Sequence, residues 1–143
     1  MFILHSLKLI VIFILLVCKQ HKLIIIDYDE REIFDWLLEQ GADVNAAAII
    51  DNEGFGGHTP LFNALVSDAY VNGRQRDAYM VKRLLDFGVD LDVSVNLRKY
   101  LDWREEPGWH ISSNVTPLEW AAGFPERGWV NKEAISMIEK IKS

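Results

Sequence analysis

The chain has 143 residues, room for one domain of ordinary size with a small appendage. Half of them are apolar, 11% aromatic and 25% charged, a balance that fills a core and excludes a disordered, collagen-like or low-complexity polymer. The net charge of -6 hides an uneven split, since residues 1–26 hold Lys8, Lys19 and Lys22 and no acid, while residues 27–143 hold 12 basic against 21 acidic side chains; so acidic a body repels phosphate, and nucleic-acid binding is set aside.

Residues 1–26 form an apolar head around the unbroken run LIVIFILLVC at residues 9–18. A cleaved signal peptide needs a small-residue processing site, and none follows. Three readings stay open: an anchor or signal-like segment, a helix packed on the domain, or a start not native to the domain. A span wants about 20 apolar residues, reached here only by including Lys8. Two lysines after the run against one before it place an anchored body on the cytoplasmic side, whereas a packed head predicts a soluble cytoplasmic protein. The run ends on Cys18, the single cysteine, which excludes an intramolecular disulfide framework and a multi-cysteine zinc site.

Residues 27–143 read as the domain proper. Ile33, Phe34, Leu37 and Leu38 make one apolar stripe of helical period, opened by Asp29 with Glu32 and closed by Gly41. Gly54, Gly56 and Gly57 mark a turn, because a phosphate-cradling loop would need a preceding strand and a lysine. Thr59-Pro60 is a helix start, with the threonine hydroxyl as cap and proline at the first helical position. After a solvated connection around residues 68–77, Asp77 caps a second stripe of Val81, Leu84 and Leu85 that Gly88 closes. Thr116-Pro117 repeats the helix start, and Asn131 caps a last helix carrying Ala134, Ile135, Ile138 and Ile141.

Two motifs recur along this body. WLLEQGADVN at residues 36–45 aligns with RLLDFGVDLD at residues 83–92, and Thr59-Pro60-Leu61 with Ala64 aligns with Thr116-Pro117-Leu118 with Ala121. As a set they resemble ankyrin repeats, with Phe62 and Glu119 where that family's T-P-L-H opening has histidine. The resemblance implies an all-α, ankyrin-like helical repeat solenoid with long turn insertions, preceded by the apolar N-terminal segment. It also implies a non-catalytic protein–protein interaction module that binds through its turn loops and inner helices.

The longest departure from the repeat, an insertion over residues 93–115, carries Arg98, Tyr100, Trp103, Arg104, Trp109 and His110. Tryptophan, tyrosine and arginine are the residue types that dominate binding hot spots, so these six are the candidate partner-binding residues. Some of the aromatics are expected to fold back as a plug and others to contact a partner, a basic protein being the one an acidic body suits. The rival reading is a small enzyme or ligand-binding protein with a pocket closed by the insertion and His110 set among acids. His58 and His110 lie in no nucleophile motif and read as surface or turn residues. No pattern of residues marks a catalytic set, a metal site or a cofactor.

Overall fold

The computed structural model describes residues 31–67, 77–102, 105–124 and 128–143. Their elements run α1 (Arg31–Glu39), α2 (Pro60–Leu65), α3 (Tyr79–Asp86), β1 (Val95–Leu101), β2 (Gly108–Val115), α4 (Pro117–Ala122) and α5 (Lys132–Lys142). Among the described residues the architecture is therefore mixed α/β, five short helices with one antiparallel two-stranded sheet. This overturns the all-helical ankyrin solenoid, because the longest inserted stretch is a β-hairpin that supplies part of the core. The helix stops and starts lie where local chemistry puts them, yet they do not build that repeat.

Gly41 and Gly88 end α1 and α3 in the left-handed conformation, at φ 85° and 79°. In each case the glycine N–H returns to a leucine carbonyl three residues back and the next N–H to one five back, at 3.0 Å throughout. These paired bonds satisfy carbonyls the helix end would otherwise leave bare. At the other ends the caps differ. Thr116 and Glu119 form a reciprocal capping box, with Thr116 N–H donating to Glu119 Oε2 at 2.8 Å. Thr59 occupies the same place before Pro60 but makes no capping bond, and its hydroxyl is buried without a hydrogen-bond partner. Proline alone opens α2. Asp77 stands one residue ahead of the N-cap Ala78 and accepts from Tyr79 N–H at 3.1 Å, while Asn131 caps α5 by accepting from Ala134 N–H at 3.0 Å.

The central element is α2, six residues long and buried along its whole length; α3, α4 and α5 all pack on it. Around it a first cluster joins Phe34 and Leu38 of α1, Leu61 and Leu65 of α2, Val81 and Leu84 of α3 and Ile138 of α5. On its other side a second cluster joins Phe62 to Leu97 and Leu101 of β1, Trp120 of α4 and Phe124. The segment before α5 is tied to the end of α2 by a Val66–Val130 bridge, with Asn131 N–H donating to Leu65 O at 2.9 Å. Asn131 also donates its side-chain amide to Asp77 O at 2.9 Å, so one residue caps α5 and holds the approach to α3.

Three further expectations change. Ile33 and Ile141 are exposed, and Leu85 is only partly buried. His58, expected at the surface or in a turn, is buried beside the start of α2. No helix among the described residues is long and apolar enough to cross a membrane, so a membrane-anchored helix has no support there; the run at residues 9–18, and the Asp29 cap, lie outside the described residues.

Candidate functional site

β1 and β2 pair antiparallel in the register Leu97↔Ser112, Arg98↔Ile111, Lys99↔His110, Tyr100↔Trp109 and Leu101↔Gly108. Because side chains alternate across a sheet, this register sorts the hairpin into two faces. The inner face carries Leu97, Lys99 and Leu101 with His110 and Ser112; the outer face carries Arg98 and Tyr100 with Trp109 and Ile111. At the base, Ser113 and Asn114 stand opposite Asn96 alone, a bulge in which Asn114 takes φ 53° and donates its N–H to Asn96 Oδ1 at 2.8 Å.

Asn96 also fastens the hairpin to the glycine-rich turn, since its carbonyl accepts from Gly56 N–H at 3.0 Å. That turn closes with Asp51 N–H donating to Phe55 O at 2.8 Å, and Asp51 Oδ1 accepting from Glu53 N–H at 2.9 Å and Phe55 N–H at 3.0 Å. It holds two carboxylates against β1. Arg98 Nη2 bonds Asp51 at 3.0 Å and Nη1 bonds Glu53 at 2.6 Å. The Glu53 bond first, then the nearby acids, raise the Arg98 guanidinium further above its ordinary value against the opposing effect of burial. The same guanidinium lies 4.6 Å from the Phe55 ring centre and 5.0 Å from that of Trp109.

Trp109 in turn meets Tyr100 edge to face, with ring centres 5.3 Å apart. Tyr100, Trp109 and Ile111 are 51%, 55% and 57% exposed. Three large side chains therefore stand side by side in water across one sheet face, with an arginine already immobilised beneath them. Trp109 is held by Tyr100 and Arg98, so part of the group's side-chain freedom is spent before any partner arrives, which lowers the cost of binding.

The inner face does different work. The His110 ring packs against Trp120 and Phe124, with centres 5.7 and 4.8 Å away, and Lys99 Nζ lies 4.8 Å from the Trp129 ring centre. Ser112 Oγ is 3.3 Å from His110 Nε2. Trp120 and Phe124 are members of the second core cluster, and Trp129 packs against it. Among the described residues, no three His, Cys, Asp or Glu side chains are grouped to hold a metal.

The structure thus brings Arg98, Tyr100 and Trp109 together on the outer face and turns His110 away from them. Trp103 and Arg104 lie outside the described residues. Sequence reasoning missed Ile111, Phe55, Asp51 and Glu53, whose grouping depends on the cross-strand register and on the return of the turn to Asn96. The one available signal was the alternation of Asn96, Arg98 and Tyr100 with Val95, Leu97 and Leu101. No protein-family model matches the chain, and no curated protein and no solved structure matches it either.

Proposed function

We propose that the chain is a non-catalytic protein-binding module whose contact surface is the outer face of the β1–β2 hairpin. The observation that carries this reading is the exposure of Tyr100, Trp109 and Ile111 side by side on that face. Large aromatics set beside a held arginine have the composition of an interface centre, where a few such residues contribute most of the affinity. The inner face has no such freedom, because Leu97 and Leu101 are committed to the core.

Site-specific cross-linking tests the proposal. A photoreactive residue placed at Ile111 in the full chain should capture a defined protein in cells that make it, and the same probe at Ile141 on α5 should not. Excess unlabelled chain should compete the product away, while the Tyr100→Ala, Trp109→Ala double variant should not. Equal capture from both positions, or equal competition by the double variant, removes the hairpin face as the binding surface.

A further inference from the structure

The hairpin has two edges, and the main chain at each decides what it can take. Asn96 turns its carbonyl away from β2 and accepts from Gly56 N–H at 3.0 Å. Main-chain groups alternate in direction along an extended strand, so Leu97, Lys99 and Leu101 bond across the hairpin to Ser112, His110 and Gly108, while Trp109 and Ile111 turn their N–H and C=O to the far edge of β2. Among the described residues, neither of these two has a main-chain bond outside the hairpin. The edge of β1 is closed in part by the glycine-rich turn, and that strand carries Arg98 and Lys99. Strand β2 is built otherwise. Over Gly108–Val115 it holds no aspartate, glutamate, lysine, arginine or proline, the residues that keep an edge from pairing, and the bulge at Asn114 lies past the straight stretch from Trp109 to Ser113.

We infer that this edge of β2 pairs with the same edge of a second copy of the chain, joining two hairpins into a four-stranded antiparallel sheet. The inference goes beyond the binding face proposed above and does not depend on it. An antiparallel edge is complementary to itself under a two-fold axis. With the axis through Ile111, that residue faces its own counterpart and Trp109 faces Ser113 in both directions, with main-chain bonds at all three positions. Side chains decide for a copy. The net charge of -6 opposes self-association through most of the surface, but a strand without acids or basic side chains meets its counterpart with no like charges opposed, whereas β1 would bring Arg98 and Lys99 against theirs. On the outer side each Trp109 lies diagonal to the other copy's central isoleucine, an aromatic and β-branched pairing that suits a sheet. Residues that are 55% and 57% exposed in one chain thus cover one another at the seam. Such an edge matches another of its own kind, and the chain itself supplies one. The straight stretch is far shorter than the roughly 20–30 residues a side of a stable complex, so the dimer is reversible and forms at high concentration.

Sedimentation of the full chain over a concentration series up to about 1 mM should show a reversible dimer. Ile111→Pro should abolish it, because the N–H it removes points out of the hairpin and serves only the new ladder. Ile111→Ala keeps every main-chain bond and should weaken the dimer severalfold at most. Cysteine variants read the register without relying on the proline variant's fold. In a Cys18→Ser background, oxidation should link the Ile111→Cys variant to itself, since facing Cα atoms about 5.5 Å apart lie within disulfide reach. It should link Trp109→Cys to Ser113→Cys in a mixture, and neither of them alone. A chain that stays monomeric throughout and unlinked at position 111 overturns the inference; if a probe at Ile111 nonetheless captures a different protein, the self-pairing is lost and the hairpin face stands. Self-association that survives Ile111→Pro but not Trp109→Ala also overturns it, since the outer faces then stack in place of edge pairing. So does self-linking of Trp109→Cys as ready as that of Ile111→Cys, because the two-fold through Ile111 is then wrong.

Discussion

Gly56 is held at φ 125°, and a Cβ built there would lie 2.3 Å from the backbone oxygen of Ile49. Neither that torsion nor that distance suits any other residue, and the N–H of Gly56 is the group that ties the turn to β1 at Asn96. Gly41 also has positive φ, at 85°, but its Cβ would meet nothing within 4 Å. Gly41→Ala should therefore cost about 1 kcal/mol, the torsional penalty alone. Gly56→Ala should cost about 3 kcal/mol or more, torsion and backbone collision together. Urea unfolding of the two variants measures the difference; equal losses would show that the turn moves aside freely and does not hold the carboxylates in place. A second residue, Asp35 on α1, links stability to pH. Partial burial acts to raise its carboxyl, but hydrogen bonds from Tyr79 and Arg83, the latter at 2.8 Å, and the charges of Arg83 and Arg31 outweigh that and hold it below the ordinary value of 3.8. A carboxyl depressed in the folded state contributes stability that is complete above the unfolded value and is lost as pH falls through the folded one. Asp35→Asn should thus cost about 1–2 kcal/mol at neutral pH, with the gap to the unaltered protein closing below about pH 4. A gap that stays constant in urea titrations down to about pH 2 would show that Asp35 is not linked in this way.

At the scale of elements, helix ends were legible because each is set by a few neighbouring atoms. Thr-Pro, leucine-leucine-glycine and Asn131 act within one turn, and the structure has helix termini at all of them. Period and burial are not local in that sense. The alternation in β1 is plain once Leu97 and Leu101 are known to be buried, but β2 inverts the usual pattern, with Trp109 and Ile111 outside and His110 and Ser112 inside. A strand that exposes its apolar residues has no readable inner face, so the insertion passed as a loop and the body as all helical. The same blindness to tertiary partners hid the pairing of Asp51 and Glu53 with Arg98 and the burial of His58. Within α3 the stripe Val81, Leu84, Leu85 was read as uniformly core, yet Leu84 is fully buried and Leu85 lies at the margin of the cluster. Leu84→Ala should cost about 2–5 kcal/mol, and Leu85→Ala about 1 kcal/mol. Equal losses would mean that α3 is rotated about its axis relative to the packing described.

On the scale of the molecule, α2 is a shared wall between two cores of unequal size. The larger joins α1, α2, α3 and α5 with Ala121 of α4, and the smaller fixes the hairpin to α2 and α4 through Phe62, Leu97, Leu101, Trp120 and Phe124. Among the described residues, Val66 and Val130 are partly buried against both. The smaller core rests on one residue each of α2 and α4, so weakening it opens the hairpin first, because local unfolding follows the least stable cooperative unit. Leu101 is fully buried in the smaller core and Trp109, eight positions on, stands in water on the opposite face of the same hairpin. Leu101→Ala should cost about 2–5 kcal/mol and act mainly on the hairpin. Its amides should exchange faster with solvent while those of α3 keep their protection. Trp109→Ala should cost about 1 kcal/mol or less, the worth of its contacts with Tyr100 and Arg98, and leave exchange in both cores unchanged. This separation matters for recognition, since a hairpin that opens alone would lose the binding face while the helices stay folded, whereas loss of Trp109 removes contacts from a face that stays in place. Hydrogen exchange on the two variants decides the matter, and protection lost evenly through α3 and the hairpin in Leu101→Ala would make the two cores a single cooperative unit.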